Sequence, residues 1–315
     1  MTALDLVAVV TGPTATGKTK LGVELALALD GEVVGADSMQ IYRDMAVGTA
    51  RPSPEEMRGV PHHMIGFQDP GEDYSVSRYV EDASRCVDDI LARGKLPILV
   101  GGTGLYIESL LRGRDFAAPP GDPDLRRELD REYDEAGGEE MLRRLAGFDP
   151  GAAERLHPND RKRILRATEV YRLTGKTITK HDEESRRQPP RYRSRRIALT
   201  YRDRADLYRR IDRRVEEMYA AGLADEVKAL LDRGVPKGST ALQAIGYKEI
   251  LRAMEAGETP ESAMEEIQRE SRRYAKRQLS WLGRDKELFW ITWEREPVFS
   301  KGLCAAAAFL TGKTP

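Results

Sequence analysis

The chain of 315 residues carries 51 Lys and Arg against 52 Asp and Glu, so its formal net charge at pH 7 is −1. This balance excludes a uniformly basic nucleic-acid-binding protein, and any affinity for RNA must come from local basic clusters. The two cysteines, Cys86 and Cys304, are far apart in the sequence, which indicates a reducing compartment rather than a disulfide framework. No apolar run approaches the roughly 20 residues of a membrane span, and the first residues carry Asp5 and no basic region. We therefore expect a cytoplasmic protein without a membrane span.

A short apolar run, Leu6–Thr11, opens the chain and predicts a buried parallel strand. It leads into Gly-Pro-Thr-Ala-Thr-Gly-Lys-Thr, and an apolar-periodic helix pattern follows over residues 21–29. Strand, loop and helix together match a phosphate-binding P-loop, with a chance match on a tight turn as the alternative. We expect the loop N–H groups, the helix N-terminus and Lys18 to bind a di- or triphosphate, ATP being the ordinary ligand, and the Thr19 hydroxyl to ligate Mg²⁺. The predicted diphosphate-binding residues are Gly12, Pro13, Thr14, Ala15, Thr16, Gly17, Lys18 and Thr19.

Asp37 follows a second strand pattern, residues 32–35, at the edge where ligands of open α/β sheets bind. This position favours a role beside the phosphate loop. It is equally typical of Asp as the N-cap of a helix that begins at Ser38. The pattern alone does not separate these two interpretations.

Thr103 stands in a second glycine-rich turn, directly after the apolar strand pattern Leu96–Val100. The turn Gly-Gly-Thr-Gly lets the backbone approach a ligand closely, and it lacks the spacing of a dinucleotide-binding motif. Thr103 is predicted either to cap the following helix or to contact a substrate.

His62 and His63 lie in residues 61–70, a Pro- and Gly-containing stretch that predicts a loop. Because no other His or Cys is near them in the sequence, a polar turn or core contact is favoured over a metal site.

The character of the chain changes after Phe116. Ala117–Pro123 has the composition of a linker, and charged amphipathic helix patterns then replace strands until a strand pattern returns at Ile197–Tyr201. We therefore divide the chain into a P-loop α/β core with C-terminal helices, residues 1–114 and 195–315, and a helical insertion, residues 115–194. Beyond the insertion, helices are expected over 206–221, 223–233, 242–256 and 260–282, and a last strand over 288–293. The expected fold class is α/β: a P-loop NTPase-like parallel sheet flanked by helices, with an inserted helical domain.

Basic residues concentrate in three segments, 161–166, 186–196 and 269–277. The second has six arginines in eleven residues, and the third places four basic side chains on one helical face. A single charge run is usually a solvated face. Here the three segments contain only one acid, Glu270, in a nearly neutral chain, which favours phosphate neutralisation and hence nucleic-acid binding. RNA is favoured because no helix-turn-helix or zinc-finger spacing occurs.

The P-loop by itself fits several chemistries. A small-molecule kinase is the ordinary expectation, with Asp37 as the base on an acceptor hydroxyl. An ATPase or GTPase would show an acid after a second apolar strand, whereas Leu96–Val100 ends in glycines. A non-catalytic RNA-binding protein with a regulatory nucleotide site is a further alternative.

Six motifs occur in order: the P-loop, Asp37-Ser-Met-Gln-Ile-Tyr42, Gly48-Thr-Ala-Arg-Pro52, Gly101-Gly-Thr-Gly-Leu-Tyr106, His157-Pro-Asn-Asp160 with Arg163 and Arg166, and Ala275-Lys-Arg-Gln-Leu-Ser-Trp-Leu282. Together they resemble the tRNA dimethylallyltransferase (tRNA isopentenyltransferase) family from Val9 to about Leu282. The resemblance implies that a dimethylallyl group moves from dimethylallyl diphosphate to N6 of the adenosine just 3′ of a tRNA anticodon, with release of pyrophosphate. The P-loop would then hold the donor's diphosphate, with Mg²⁺ as the cofactor.

The resemblance also implies roles for individual residues. Asp37 becomes the general base, Thr103 contacts the donor diphosphate or positions the amine, and Arg214 holds the pyrophosphate, with Arg210 as a lesser helper. From the helix pattern alone, both arginines read as surface charges.

The implied partners are the anticodon stem-loop of tRNA and dimethylallyl diphosphate, and we expect a monomer. The implied tRNA contacts are Asp37, Ser38, Met39, Gln40, Thr103, Arg126, Lys162, Arg163, Ile164, Leu165, Arg166, Gln243, Gly246, Tyr247, Lys248, Arg273, Lys276 and Arg277. An isopentenyltransferase for free adenine nucleotides is the near alternative, against which the helical insertion and the basic face argue.

Overall fold

The computed structural model describes residues 6–113, 122–187 and 189–312. They separate into two compact units, Met1–Leu111 with Arg191–Pro315, and Arg112–Pro190. The linker expected over Ala117–Pro123 falls mostly outside the described residues.

A single parallel sheet forms the centre of the first unit. Its strands are β1 (Leu6–Thr11), β2 (Gly31–Gly35), β3 (His62–His63), β4 (Leu96–Val100), β5 (Arg193–Tyr201) and β6 (Phe289–Trp293). They are arranged in the order β3-β2-β4-β1-β5-β6. Because all pairings are parallel, the carboxyl ends of β1, β2 and β4 meet at one edge, where the glycine-rich loops lie.

Helices account for most of the remaining described chain, and two 3₁₀ turns, Ala241–Gln243 and Pro260–Ala263, interrupt its later part. The helices are α1 (Lys18–Leu29), α2 (Pro54–Met57), α3 (Val76–Ala92), α4 (Gly104–Arg112), α5 (Pro123–Ala136), α6 (Gly138–Phe148), α7 (Pro150–Ala153), α8 (Arg161–Thr174), α9 (Ile178–Arg187), α10 (Arg204–Ala220), α11 (Leu223–Asp232), α12 (Tyr247–Glu255), α13 (Met264–Leu282) and α14 (Phe299–Thr311).

Alternate residues of the strands bury on opposite faces of the sheet, as the twofold periodicity of a strand requires. Val7 and Val9 pack into one hydrophobic cluster, with side chains from α3, α4, α11 and α12. Ala8 and Val10 pack into the other, with side chains from α1, α10 and α14. Each fully buried Val or Leu contributes about 1.5–3 kcal/mol, so this two-sided burial stabilises the sheet that carries the loops.

β1 and β4 have the predicted bounds, but β5 begins at Arg193 rather than Ile197. Its early residues pair with β1, and their arginines have specific partners: Arg195 donates to the carbonyl of Leu310 at 2.9 Å, and Arg196 to Asp285 at 2.7 Å. These partners lie later in the chain and accept the hydrogen bonds of the guanidinium groups. An arginine-rich segment can therefore enter the sheet. It is not a free basic surface.

Two further expectations are wrong. His62 and His63 form the short edge strand β3 instead of a loop, and His63 Nε2 lies 2.8 Å from the Glu32 carboxylate on β2. The helix expected over 242–256 is a 3₁₀ turn followed by α12, because Gly246 adopts φ 101°, outside the helical range.

The unit Arg112–Pro190 is helical and has its own small core. Leu129, Met141, Ile164 and Leu165 form one buried cluster, and Leu145, Ala152 and Ala167 form another. Across the residues that the structure describes, no helix has both the length and the apolar character needed to cross a membrane.

Candidate active site

A cavity of about 780 Å³ opens at the carboxyl edge of the sheet, within the first unit. The P-loop, the turn after β2, residues 46–51, the end of β4, and helices α10 and α13 supply its walls. A concave site at this edge is the ordinary binding position of an open α/β fold. The cavity is lined by part of the predicted phosphate-binding and catalytic set: Thr14, Ala15, Gly17, Lys18, Thr19, Asp37 and Arg214. The other predicted members, Gly12, Pro13, Thr16 and Thr103, are not among its lining residues.

The P-loop holds its shape through contacts within the loop. The Thr16 hydroxyl and the Lys18 ammonium both donate to the carbonyl of Pro13, at 2.8 and 2.7 Å. Gly17 has φ 83°, and a Cβ on Gly12 (φ 145°) would lie 2.5 Å from the carbonyl oxygen of Leu199. Both positions therefore require glycine. α1 begins at Lys18, so the positive end of its dipole faces the loop.

Lys18 and Arg214 share the cavity with Asp37. Burial of the ammonium, and after it the charge of nearby Arg214, lower the pKa of Lys18 to about 7, and Asp37 opposes this shift. Burial likewise lowers the pKa of Arg214, opposed by Asp37, and its Nε has no hydrogen-bond partner among the described residues. Arg214 is therefore not a surface helix charge. Two cations with one carboxylate favour an anionic ligand.

Asp37 caps a turn, not a helix. Its Oδ1 accepts from the N–H groups of Met39 at 2.9 Å and Gln40 at 3.4 Å. The capping and the functional interpretations are compatible, because one carboxylate oxygen caps the turn and fixes the group at the cavity wall. The Gln40 amide donates to the carbonyls of Thr49 and Ala50, at 3.0 and 3.2 Å.

The Thr103 hydroxyl reaches across to the Asp37 turn. It accepts from the N–H of Ser38 at 3.0 Å and lies 3.3 Å from the Ser38 hydroxyl. Nearby Tyr274 of α13 has its pKa raised to about 12, chiefly by burial and then by Asp37. Thr103 thus links the ends of β2 and β4, and its side chain does not cap α4.

Gln278 of α13 connects the two glycine-rich loops. Its Oε1 accepts from the N–H of Thr14 at 3.1 Å, and its Nε2 donates to the carbonyl of Gly102 at 3.0 Å. A Cβ on Gly102 would lie 2.2 Å from that nitrogen. Gln278 stands inside one of the six sequence motifs, but nothing in the motif predicted this bridging contact.

The C-terminal elements support the P-loop from behind. The indole of Trp293 on β6 donates to the carbonyl of Thr16, and the ring of Phe299 would lie 2.6 Å from a Cβ on Gly17. Lys20 stands over the same ring, 4.4 Å from its centroid. Sequence reasoning missed these residues, because no local pattern connects them with the loop.

Models of two related transferase families match the chain. The model of the family described as IPP transferase matches residues 40–285, and that described as isopentenyl transferase matches residues 5–65. The chain belongs to the IPP transferase family. The family membership and the prenyl-transferring class predicted from the motifs are thereby confirmed.

Curated relatives of this IPP transferase align along nearly its whole length. The tRNA dimethylallyltransferase of Acetivibrio thermocellus is 46% identical over 288 residues, which cover 91% of this chain and 92% of that protein. The tRNA dimethylallyltransferase of Geobacillus kaustophilus is 43% identical over 310 residues, covering 98% and 97%.

Solved structures confirm the fold class. The full-length tRNA isopentenylpyrophosphate transferase from Bacillus halodurans matches with a TM-score of 0.73 at 39% identity, covering 98% of this chain and 96% of that one. A eukaryotic dimethylallyltransferase acting on tRNA matches with a TM-score of 0.81 at 27% identity, covering 98% and 80%. The P-loop NTPase-like sheet is therefore shared with these transferases.

In the helical unit of this IPP transferase, two residues expected to contact RNA have inaccessible side chains. Ile164 and Leu165 are fully buried in its core, so we remove them from the predicted RNA surface. Lys162 and Arg163 are exposed on the same helix. Arg126 and Arg166 both pair with one buried acid, Glu169, at 3.8 and 2.7 Å. Glu169 therefore neutralises part of their positive charge.

The predicted RNA contacts within residues 243–248 also comprise both buried and accessible residues. Gly246 and Tyr247 are buried at the start of α12. Neither residue therefore offers a side-chain surface to RNA. Gln243 and Lys248 line the cavity.

The basic face on α13 is less free than its sequence indicates. Arg269 and Arg273 pair with Glu270 on the same helix, and Arg272 pairs with Asp212 of α10. Lys276 and Arg277 are exposed, and Arg277 stands 5.7 Å from the Tyr274 ring centroid. Counting acids only within residues 269–277 overstates the net positive charge of this face, because Asp212 of α10 pairs with Arg272 from outside the segment.

Proposed function

We propose that this chain transfers a dimethylallyl group from dimethylallyl diphosphate to N6 of the adenosine just 3′ of a tRNA anticodon. The observation that carries the proposal is the cavity where Lys18, Arg214 and Asp37 interact with one another. Two cations suit a diphosphate leaving group, and a carboxylate beside them suits an acceptor that must lose a proton. The names of the relatives support the same reaction.

The donor half of the reaction uses the phosphate loop. As the C1–O bond of the allylic donor breaks, its electron pair leaves on the diphosphate. The loop N–H groups, Lys18 and Arg214 stabilise that developing charge in a preorganised site. The free Nε of Arg214 offers a donor that no described residue uses.

We propose Mg²⁺ as the cofactor, held by the Thr19 hydroxyl. Among the described residues no group of three or more His, Cys, Asp or Glu could hold a metal. A hydroxyl on the cavity wall suits Mg²⁺, which keeps several waters and commonly binds through few protein ligands and substrate phosphates. When bound, it would neutralise charge on the leaving diphosphate.

The acceptor half of the reaction requires a base. The lone pair of the exocyclic N6 amine is delocalised into the ring, so attack on C1 needs loss of an N–H proton. As the N6–C1 bond forms, the Asp37 carboxylate accepts that proton. The turn contacts of Asp37 Oδ1, and those of Thr103 with Ser38, fix the geometry beforehand.

The target adenine must leave the anticodon stack to reach the cavity, at a cost of a few kcal/mol that stacking and edge contacts offset. We propose that Ser38, Met39, Gln40 and Thr103 contact the base. The anticodon stem-loop would bind the accessible basic and polar residues of the predicted set: Arg126, Lys162, Arg163, Arg166, Gln243, Lys248, Arg273, Lys276 and Arg277. A tRNA substrate also implies a cytoplasmic enzyme, and we propose a monomer.

Transfer of label tests the proposal directly. The protein, Mg²⁺ and labelled dimethylallyl diphosphate are incubated with an anticodon stem-loop that carries adenosine at the target position, and with a matched stem-loop that carries guanosine there. We expect label only in the adenosine RNA. Transfer to free AMP but not to RNA, or transfer of the ATP γ-phosphate, would replace the proposal by the nucleotide-acting enzyme or the kinase.

A further inference from the structure

One wall of the cavity is the loop of residues 46–51, whose backbone is strained. Ala50 has φ 46°, in the left-handed region that non-glycine residues rarely adopt. Such a conformation persists only where the surrounding structure holds it. Two backbone hydrogen bonds close the loop, from Ala50 to Val47 and from Arg51 to Ala46, both at 2.9 Å.

Glu226 of α11 anchors this loop from outside the cavity. Its Oε2 accepts from the N–H of Val47 at 2.8 Å, and its Oε1 accepts from the N–H of Gly48 at 2.9 Å. Oε1 also accepts from the hydroxyl of Tyr247 at 2.6 Å. Both carboxylate oxygens are thus engaged, and the hydrogen bonds to Val47 and Gly48 connect Glu226 with the cavity lining.

The ring of Tyr247 packs against the same loop at Gly48. A Cβ on Gly48 would lie 2.5–2.6 Å from the Tyr247 ring and hydroxyl, so the loop and the ring approach as closely as a glycine allows. Burial, followed by the charge of Glu226, raises the pKa of Tyr247 well above its usual range. The hydroxyl therefore remains a donor to Glu226.

The opposite end of the loop is held by Gln40, whose amide donates to Thr49 and Ala50. Gln40 itself is held by Asp37, through the N–H that the Asp37 carboxylate accepts. A continuous set of hydrogen bonds therefore runs from Glu226 through the loop and Gln40 to Asp37.

We infer that Glu226 is a positioning residue, which fixes the cavity wall 46–51 and thereby the orientation of the Gln40 amide beside Asp37. The inference rests on the proposed function for its effect on catalysis, but its structural part does not. Displacing a cavity wall by about 1 Å can lower a rate by up to about 100-fold without removing any reacting group.

Glu226→Gln is the decisive variant. Val47 and Gly48 donate to different oxygens of the Glu226 carboxylate. In the carboxamide an NH₂ group replaces one of these oxygens and would face one of the two N–H donors, so one of the two hydrogen bonds is lost. Asp225→Asn is the matched control, because it removes the same charge one residue away, at an exposed position. Tyr247→Phe keeps the packing on Gly48 and removes only the hydroxyl.

The full chain is studied by amide hydrogen exchange and by steady-state transfer to the stem-loop. For Glu226→Gln we expect exchange in peptides covering 46–51 to rise about tenfold while peptides of α11 stay protected. We expect kcat to fall about tenfold or more, with KM for either substrate within about threefold. Tyr247→Phe should lower kcat less, and should add nothing to Glu226→Gln.

Unchanged exchange in residues 46–51, an equal effect of Asp225→Asn, or general loss of protection across α11 and α12 would each overturn the inference. If the wild-type protein transfers no label, the proposed function fails. The exchange experiment would still decide whether Glu226 holds the wall.

Discussion

The indole Nε1 of Trp293 donates a hydrogen bond of 3.0 Å to the backbone carbonyl of Thr16, so the last strand of the sheet holds the centre of the phosphate loop. Trp293→Phe keeps an aromatic side chain but leaves this buried carbonyl without its donor. We expect a loss of about 1–3 kcal/mol in the free energy of unfolding, measured by urea denaturation, and a raised KM for dimethylallyl diphosphate.

Trp290→Phe is the control for this prediction, because Trp290 stands on the same strand and is 36% exposed. It should change stability by less than about 0.5 kcal/mol, as surface substitutions usually do. Equal effects of the two substitutions would show that the Thr16 contact is unimportant.

Gln278→Leu removes the bridge between Thr14 and Gly102 at nearly constant volume. We expect kcat/KM to fall about 10–100-fold, because both loops lose their common partner and the phosphate site loses its preorganisation. Steady-state kinetics provide the measurement. Gln268→Leu on the same helix removes one bond of 3.3 Å, to the carbonyl of Asp212, and should have a much smaller effect.

Asp37→Asn preserves an oxygen that can cap the turn but removes the base. We expect kcat to fall by at least about 100-fold, with the melting temperature and RNA affinity nearly unchanged. Asp37→Ala should lower kcat equally and also destabilise the turn, by roughly 1 kcal/mol. Retention of more than a tenth of the wild-type kcat in Asp37→Asn would exclude Asp37 as the general base.

Diphosphate affinity should depend on pH through Lys18. The ligand-free site holds the pKa of Lys18 at about 7, so the amine becomes neutral as the pH rises above that value. A bound diphosphate favours the ammonium form, so binding takes up a proton above pH 7 and weakens as the pH increases. Calorimetric titration with pyrophosphate in buffers of different ionisation enthalpy measures this uptake. Subtracting the result for Lys18→Gln cancels the protonation of the ligand itself, and an equal uptake in both proteins would refute the prediction.

The same residue should destabilise the ligand-free fold. Because the folded-state pKa of Lys18 lies below the ordinary lysine value, the cost of its charge is complete below pH 7 and disappears as the pH approaches about 10.4. Lys18→Met should therefore raise the melting temperature at pH 6–7 and have less effect at pH 10. A stabilisation that does not depend on pH would have another cause.

Two exposed cations on α8 should contribute to RNA binding through charge alone. Lys162→Ala and Arg163→Ala should each weaken stem-loop binding and lower the salt slope of log K by about 1. Arg161, on the same helix, pairs with Asp130 at 2.8 Å and also with Asp134, so Arg161→Ala should mainly destabilise the helical unit. Binding isotherms at several salt concentrations distinguish the two effects.

The sequence predicted the elements whose signal is local. β1 and β4 are apolar runs directly followed by glycines, and both have the predicted bounds. The positions of Lys18, Asp37 and Thr103 follow from that arrangement, because parallel strands bring their carboxyl ends to one edge.

Elements that depend on distant partners could not be predicted in the same way. The arginines of β5 enter the sheet only because Asp285 and the end of α14 receive them. Glu226 is 179 residues from Val47, and Gln278 is 264 residues from Thr14. No local sequence pattern can predict a contact over such a separation. Family resemblance predicted the reacting groups, whereas only the folded structure revealed the residues that contact them from distant parts of the chain.

The contact between Trp293 and Thr16 joins residues 277 positions apart. During synthesis the phosphate loop therefore emerges long before Trp293 and Phe299. A nascent chain lacks this support for its predicted diphosphate site until Trp293 has left the ribosome. Diphosphate binding should consequently report whether a preparation has completed folding, since a chain that stops before Trp293 would contain every predicted reacting group and still hold its donor poorly.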